Sequence, residues 1–407
     1  MINRIAKAEI EDALTDTPVV LIHGPRQCGK STLAKSFTDE TRRYITFDNP
    51  LYLEQATVDP LRFLTDFSGP VVLDEVQRVP SLFLPLKLLV DEDRTPGRFI
   101  LTGSANVLSL PKIADSLAGR MAIVDLLPFT QSETEGWLPN LVEDLFIGRI
   151  PVKPAPVSDE DLFRRITVGG FPEANTRKSS ASRERWFEDY LRSIIERDIR
   201  DIANIDALAQ IPKILRLLAA RSGSTLNVAN LSRDTGIPNT TLHRYLEILE
   251  AIFLVHDFPT WSNNRGSRVT KSPKTFLVDS GLLCQLDNVT PSMLNRDRER
   301  LGSVLESFVA MELKKLARFA DRRPIVHHLR TVKQLEVDFI LEARGGDVVG
   351  IEVKAAKSIS SADIKGLRFL DDLTEGKLKL GVVLYCGDAV EQLAGKIWAV
   401  PVSALWS

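Results

Sequence analysis

The sequence predicts an α/β protein whose first part is a parallel sheet that binds a nucleotide phosphate. Residues 24–31 read Gly-Pro-Arg-Gln-Cys-Gly-Lys-Ser and follow a run of apolar, β-branched residues at 19–23. Further apolar segments alternate with helical material up to residue 126, which is the pattern of a parallel sheet covered by helices. Near the C-terminus, two alternating strands place carboxylates and a lysine together, which predicts a second α/β domain.

Length and composition favour several domains. The chain has 407 residues, which exceeds the roughly 250–300 that one core supports. We expect a phosphate-binding core at 1–130, a helical lid or linker at 131–220, a winged helix at 221–290 and a C-terminal α/β domain at 291–407. A net charge of −2 excludes a chain that is basic throughout. Three scattered cysteines and no apolar membrane-length run predict a cytoplasmic protein.

The loop at 24–32 predicts the phosphate contacts. Gly24 and Gly29 let the backbone wrap an oxyanion closely, with successive N–H groups pointing inward. Lys30 is expected to reach the β- and γ-phosphates of ATP, and Ser31 to ligate Mg²⁺. The other loop residues expected at the nucleotide are Pro25, Arg26, Gln27, Cys28 and Thr32.

The segments at 19–23, 43–47, 71–73, 99–101 and 121–126 are the predicted strands of this sheet. The strand at 71–73 runs into Asp74 and Glu75. Phosphoryl transfer to water needs a carboxylate for the Mg²⁺ shell and another to deprotonate the water, and we assign Asp74 and Glu75 these two roles.

Two further positions are candidates at the same site. The next strand ends in small polar residues at the edge where ligands bind open α/β sheets, so Thr102, Ser104 or Asn106 is expected to contact the γ-phosphate, unless it merely caps a turn. Arg120, before the fifth strand, is a candidate for stabilising transition-state charge in its own subunit or in a neighbour within a homo-oligomer. A solvated or salt-bridged arginine is the alternative.

These motifs resemble the AAA-type branch of P-loop ATPases. More narrowly, the chain resembles a large prokaryotic family of ATP-binding proteins whose C-terminal part has a restriction-endonuclease-like fold. The residues that carry this resemblance are Gly-Pro-Arg-Gln-x-Gly-Lys-Ser (24–31), Leu-Asp-Glu-Val-Gln (73–77), Leu-Thr-Gly-Ser (101–104), Leu-Ala-Gly-Arg (117–120), Gly-Gly-Phe-Pro-Glu (169–173) and Glu-Arg-Asp-Ile (196–199).

The middle of the chain predicts helices and then a DNA-reading module. The proline-rich stretch 150–156 reads as a linker, and 183–202 as an amphipathic helix that packs as a lid or forms an oligomer contact. Two short helices meet at a glycine turn within 228–249, the second opening with an Asn or Thr cap, and an apolar strand follows, as in a winged helix. Residues 211–275 hold nine Lys or Arg against four Asp or Glu. The side chains expected to face DNA are Thr240, Thr241, His243 and Arg244, with a pure packing module as the alternative.

The C-terminal hairpin predicts an acidic centre. If its turn is Arg344-Gly345-Gly346, Asp338 lies opposite Glu352, and both share a face with Lys354. The period of two then places Val337, Phe339, Ile351 and Val353 on the opposite, buried face. The Asp-x₁₃-Glu-x-Lys spacing resembles the PD-(D/E)XK nuclease superfamily, and Glu306, in the helix at 301–316, matches that superfamily's additional acidic position. The resemblance implies a Mg²⁺ site at Glu306, Asp338 and Glu352, with catalysis by Asp338, Glu352 and Lys354.

Together these features predict a Mg²⁺-dependent ATPase that acts on nucleic acid, with DNA expected. ATP hydrolysis would be coupled to DNA binding or remodelling, and the C-terminal domain would supply metal-dependent cleavage. Two alternatives stay open. One is an ATP-driven switch or scaffold that binds a protein partner, and the other is a DNA translocase or helicase whose nuclease fold is inactive.

Overall fold

A computed structural model describes residues 2–104, 117–136, 140–151, 153–200, 208–263, 268, 272–331 and 335–407. The first sheet has five parallel strands in the order β2-β3-β4-β1-β5. Its strands are β1 (Val19–His23), β2 (Arg43–Thr46), β3 (Val71–Asp74), β4 (Phe99–Gly103) and β5 (Met121–Asp125). The α/β sheet expected from the apolar segments is therefore present, with bounds that differ by one residue or so from those predicted.

Helices cover both faces of this sheet, as its uninterrupted apolar strands require. Val20 and Ile22 of β1 pack in one apolar cluster, while Val19 and Leu21 pack in another on the opposite face. The helices around the sheet are α1 (Ala6–Asp16), α2 (Lys30–Lys35), α3 (Pro50–Val58), α4 (Pro60–Thr65) and α5 (Phe83–Glu92). Because all five strands run in one direction, the residues that follow β1, β3 and β4 meet at one edge of the sheet.

A helical segment follows the sheet. Its helices are α6 (Gln131–Glu135), α7 (Leu141–Phe146), α8 (Asp159–Val168), α9 (Pro172–Thr176), α10 (Ser180–Ser193), a π-helical turn (Ile194–Ile199) and α11 (Ile211–Ala220). From Leu141 to Trp406, buried apolar residues belong to one continuous cluster. The helical segment therefore shares its core with everything that follows it.

Two helices and a two-stranded sheet come next. Helix α12 (Val228–Thr235) ends at Gly236, whose φ of 76° allows the turn into α13 (Asn239–Ala251). Strands β6 (Val255–Phe258) and β7 (Lys274–Leu277) then pair antiparallel. The capping prediction for α13 was wrong: its N-cap is Pro238, without a side-chain hydrogen bond. A proline at this position already fixes the backbone, so no side-chain cap is needed to start the helix.

The C-terminal part is a six-stranded sheet in the order β12-β13-β11-β10-β9-β8. Its strands are β8 (Ile325–Arg330), β9 (Glu336–Glu342), β10 (Val348–Lys354), β11 (Leu378–Tyr385), β12 (Glu391–Ala394) and β13 (Ile397–Pro401). The helices of this part are α14 (Ser280–Leu286), α15 (Pro291–Arg296), α16 (Arg298–Arg318) and α17 (Lys365–Leu373). Side chains of α16 and α17 belong to two different apolar clusters, each of which includes residues of this sheet.

The predicted register of the β9–β10 hairpin is confirmed as far as its ladder runs, with Val348 beside Glu342 and Ile351 beside Phe339. The prediction that Val337 shares a face with Phe339 was wrong. Val337 packs with the α17 side and Phe339 with the α16 side. The physical reason is an irregularity in the β8–β9 pairing, which shifts register between His327 and Leu329 and breaks the alternation next to Asp338.

Within the described residues, no helix is long and apolar enough to cross a membrane.

A buried ion pair fastens the start of the chain. The Arg4 Nε donates to Glu133 Oε1 at 3.0 Å, and the rest of its guanidinium donates to the carbonyls of Cys28 and Leu127. Glu133 also accepts from the backbone N–H groups of Ile5 and Thr130. This pair joins α1, the glycine loop and α6.

We predict that Glu133→Ala destabilises the protein by about 3–5 kcal/mol, because it leaves the Arg4 charge buried without its partner. The measurement is the midpoint of thermal unfolding. Glu135→Ala is the matched control, since Glu135 forms a more exposed ion pair with Arg165 and its loss should cost under about 1 kcal/mol. Equal shifts for both variants would contradict a special role for the buried pair.

Candidate functional site

The glycine loop after β1 is built so that only glycine fits its first position. A Cβ on Gly24 would lie 2.1 Å from the carbonyl oxygen of Leu126. Gln27 and Gly29 both have positive φ, at 58° and 99°, so the loop turns tightly around a central space. This close backbone path is what an oxyanion cradle of N–H groups needs.

The Lys30 side chain closes back over this loop. Its ammonium donates to the carbonyl oxygens of Gly24 at 3.1 Å and Pro25 at 2.7 Å, and the residue is only 5% exposed. A phosphate in the loop would offer charged acceptors in place of these neutral ones, and charge-assisted hydrogen bonds are the stronger kind. Ser31 is half-buried in the first turn of α2, while Gln27 and Thr32 are exposed.

Arg26 is held by the helical segment. Its Nε donates to Asp198 Oδ1 at 2.6 Å. Asp198 lies in the π-helical turn, a rare conformation that occurs mostly at functional sites. The loop and the predicted lid are therefore joined by an ion pair at the candidate nucleotide site.

The carboxylate of Asp74 lies at the same edge of the sheet, fixed by two neutral donors. Thr102 Oγ1 donates to one of its oxygens at 2.6 Å and the Tyr44 hydroxyl to the other at 2.7 Å. Burial, followed by the bond to Asp74, raises the pKa of Tyr44. Asp74 is 3% exposed and forms no ion pair with any described residue, so its charge is available to a cation.

Glu75 follows in a left-handed backbone conformation, with φ of 63°. Its N–H donates to Thr102 Oγ1 at 3.0 Å, and its carboxylate accepts from the Gln77 amide. Non-glycine residues rarely adopt this conformation except where the surroundings enforce it. The turn directs the Glu75 side chain differently from a regular strand continuation.

Thr102 therefore positions both acidic residues, a role that differs from the phosphate contact considered for it. Ser104 is buried at the end of β4, and Asn106 lies outside the described residues. Sequence reasoning missed Tyr44 and Gln77. Gln77 had a signal, because it lies in the Leu-Asp-Glu-Val-Gln motif, whereas Tyr44 had none.

The suggestion that Arg120 acts within its own subunit was wrong. Arg120 precedes Met121, which pairs with Val19 at the start of β1, so it lies at the amino edge of the parallel sheet. The loop lies at the carboxyl edge. Arg120 instead donates to both oxygens of Asp91, at 2.5 and 3.0 Å.

The residues at the loop fit a magnesium ion that arrives with a nucleotide. Mg²⁺ is usually bound through one or two carboxylates, hydroxyls and the substrate phosphates rather than by an all-protein cage. Ser31 and Asp74 supply such donors. No group of three or more His, Cys, Asp or Glu able to hold a metal occurs in the described ranges, which agrees with a site completed by phosphates.

The C-terminal carboxylates are arranged differently from the predicted metal site. Asp338 Oδ2 accepts from the backbone N–H of Val353 at 2.9 Å, and Lys354 Nζ lies 3.4 Å from Glu352 Oε2. Glu306 is close to Asp338 but bonded to Lys274, at 2.8 Å. Burial and the neighbouring Asp338 raise the pKa values of Glu306 and Glu352. The expected three-carboxylate Mg²⁺ site is thus not assembled, because a protein ammonium already neutralises it.

The predicted DNA-facing residues lie along one side of α13. Thr240, His243 and Arg244 are exposed and Thr241 is half-buried. The opposite side of the helix is buried through Leu242, Tyr245, Ile248 and Leu249. The helix therefore packs by one face and presents a polar face to solvent.

Comparison with known proteins agrees with this organisation. The AAA domain family matches residues 16–135. Two domains of unknown function match the remainder, DUF8612 at residues 159–293 and DUF4143 at residues 301–405. A crystal structure of a DNA polymerase III gamma subunit-related protein from Thermotoga maritima aligns with a TM-score of only 0.20 at 12% identity, over 78% of this chain and 99% of that one, and carries no argument.

Relatives extend along nearly the whole chain. Uncharacterized protein MJ1544 of Methanocaldococcus jannaschii is 24% identical over 96% of this chain and 87% of its own length. Uncharacterized protein Rv2008c of Mycobacterium tuberculosis is 30% identical over 99% of this chain and 84% of its own length. The chain belongs to the same family as Rv2008c, and it begins with an AAA domain.

Proposed function

We propose that this protein is a Mg²⁺-dependent ATPase whose hydrolysis cycle is coupled to binding or remodelling of DNA. An AAA domain indicates an ATPase, and one observation carries the proposal further. The Lys30 ammonium, the fixed Asp74 carboxylate and the displaced Glu75 carboxylate all lie at one edge of one sheet, next to a loop that only a close backbone can form. That is the set of groups that phosphoryl transfer to water requires.

The chemical roles follow from the geometry. Lys30 exchanges the carbonyls of Gly24 and Pro25 for the β- and γ-phosphate oxygens. Magnesium, held by Ser31 and Asp74, neutralises the developing charge on the phosphates. Glu75 accepts the proton of the attacking water as its general base. Gln77, bonded to the Glu75 carboxylate, orients that base.

The DNA part of the proposal is supported by the module at 221–290. Helices α12 and α13 meet at a tight glycine turn and the β6–β7 pair follows, which is the order of elements in a winged helix. The exposed face of α13 offers two threonines, a histidine and an arginine, side chains that commonly contact phosphates and base edges.

Two contacts support coupling between this module and the nucleotide loop. The His23 ring, directly before Gly24, packs edge-to-face on Phe253 with centroids 4.7 Å apart. Phe253 lies in the turn after α13 and has a φ of 61°, which a non-glycine residue adopts only under constraint. The Arg26–Asp198 pair joins the other side of the loop to the helical segment. A change in the loop would therefore reach both neighbouring units.

A homo-oligomer is part of the same proposal. Arg120 lies too far along the sheet to serve its own nucleotide, so any role in catalysis would be at the site of a neighbouring copy. Release of Arg120 from Asp91 would have to accompany that contact.

An ATP-driven switch or scaffold is the second candidate. It is favoured by the C-terminal carboxylate cluster, where an ion pair with Lys274 stands in place of an open metal site. Under this alternative the ATPase cycle is retained and the final partner is a protein. Stimulation of ATP turnover by DNA would favour the first candidate, whereas unchanged turnover would favour the second.

We predict that Glu75→Gln keeps ATP binding but lowers turnover by about 10²–10⁴-fold, the range expected for loss of a general base. Lys30→Ala should weaken ATP binding itself. Binding is measured by titration with ATP in Mg²⁺ and turnover by phosphate release. Glu54→Gln, on the exposed part of α3, is the control and should behave as wild type. Wild-type turnover in Glu75→Gln would remove Glu75 from the role of base.

We also predict that Arg244→Glu weakens duplex DNA binding and makes it less dependent on salt, because a phosphate contact is lost and fewer counterions are released. Affinity is measured at several salt concentrations. Arg192→Glu is the control: it makes the same charge change at an exposed arginine of α10. Identical DNA affinities for the two variants would show that the α13 face does not contact DNA.

A further inference from the structure

The C-terminal carboxylate cluster already contains a cation of its own. We propose that the Lys274 ammonium takes the place of a divalent metal there, so that the cluster fastens the β6–β7 pair to the C-terminal sheet and is not a metal centre in the native protein. The cluster is defined as Glu306, Glu336, Asp338 and Glu352, together with Lys274. The inference does not depend on the proposed ATPase.

Three acidic side chains surround this one ammonium. Lys274 Nζ lies 2.8 Å from Glu306 Oε1, 2.8 Å from Glu336 Oε1 and 3.7 Å from Asp338 Oδ1. An ammonium has three hydrogens to donate, and two of the three carboxylates lie at hydrogen-bond distance. The lysine side chain is 4% exposed, so water does not compete for it.

The remaining oxygens of the cluster are also engaged. The second oxygen of Asp338 accepts the N–H of Val353, and Glu352 faces Lys354. Glu352 is itself confined, because a Cβ on Gly366 would lie only 2.8 Å from its Oε1. A divalent cation would have to displace an ammonium from its carboxylates and would gain no vacant acceptor in exchange.

The elements that supply these groups explain what the cluster does. Lys274 begins β7, which pairs only with β6 in the described sheet, whereas Glu306 lies on α16 and Asp338 on β9. The ion pairs therefore cross from the two-stranded sheet to both layers of the C-terminal part. Since a buried charge without its partner is costly, these ion pairs fix the position of β7.

The test compares full-length wild type with Lys274→Met, which keeps the length of the side chain and removes its charge. Thermal unfolding is followed without nucleotide, in chelator and in Mn²⁺. Wild type should show no Mn²⁺-dependent shift. Lys274→Met should unfold at a lower temperature in chelator and gain a Mn²⁺-dependent rise of roughly 5 °C, because four carboxylates are then left with one lysine.

Two further variants separate the causes. Lys274→Met combined with Asp338→Asn should lose the Mn²⁺ response, and Lys153→Met, at an exposed lysine, should match wild type. A Mn²⁺-dependent rise in wild type that Asp338→Asn abolishes would overturn the proposal. So would a folded Lys274→Met protein that shows no Mn²⁺ response.

If Lys274→Met does not fold, calorimetric titration of nucleotide-free wild type with Mn²⁺ decides the question. Absence of binding, together with a lower unfolding temperature for Glu306→Gln in chelator and in Mn²⁺ alike, supports the built-in ammonium. Binding of Mn²⁺ that is lost in Asp338→Asn contradicts it.

Discussion

The structure depends on the burial of charged side chains along one helix, α16, and on the partners that neutralise them. Glu306 pairs with Lys274 of β7, Glu312 accepts the backbone N–H of Gln131, and Lys315 donates to the carbonyl of Phe129. At the end of the helix Arg318 donates to the carbonyl of Ile123 in β5. Breaking such buried pairs costs about 3–5 kcal/mol each. The parallel sheet, the helical segment and the two-stranded sheet are therefore held to the same rigid element.

This arrangement gives the candidate nucleotide site a physical route to the rest of the molecule. The loop after β1 contacts Asp198 through Arg26 and Phe253 through His23, so it touches the helical segment and the end of α13 directly. Both of those elements are fastened to α16 through the shared apolar core. A nucleotide that rearranges Lys30 and Arg26 cannot do so without acting on these contacts, which is why we describe the chain as one coupled machine and not as independent domains.

Local chemistry made much of the site predictable. The loop at 24–31 and the pair Asp74–Glu75 depend on residues that are adjacent in sequence, and the hairpin register follows from the period of two and a short turn. What escaped prediction involves distant partners. Nothing near Lys274 announces Glu306 or Glu336, and the strand order that sends Arg120 to the far edge of the sheet is a property of the whole fold. The face of Val337 was missed because an irregularity in pairing with β8 interrupts the alternation.

The central claim is that nucleotide at the loop is felt along α16, and amide hydrogen exchange tests it most directly. Exchange is compared with and without a non-hydrolysable ATP analogue and Mg²⁺. The account predicts changed protection in the loop at 24–31 and also in α13, β7 and α16. Changes confined to the loop and the first sheet would contradict it.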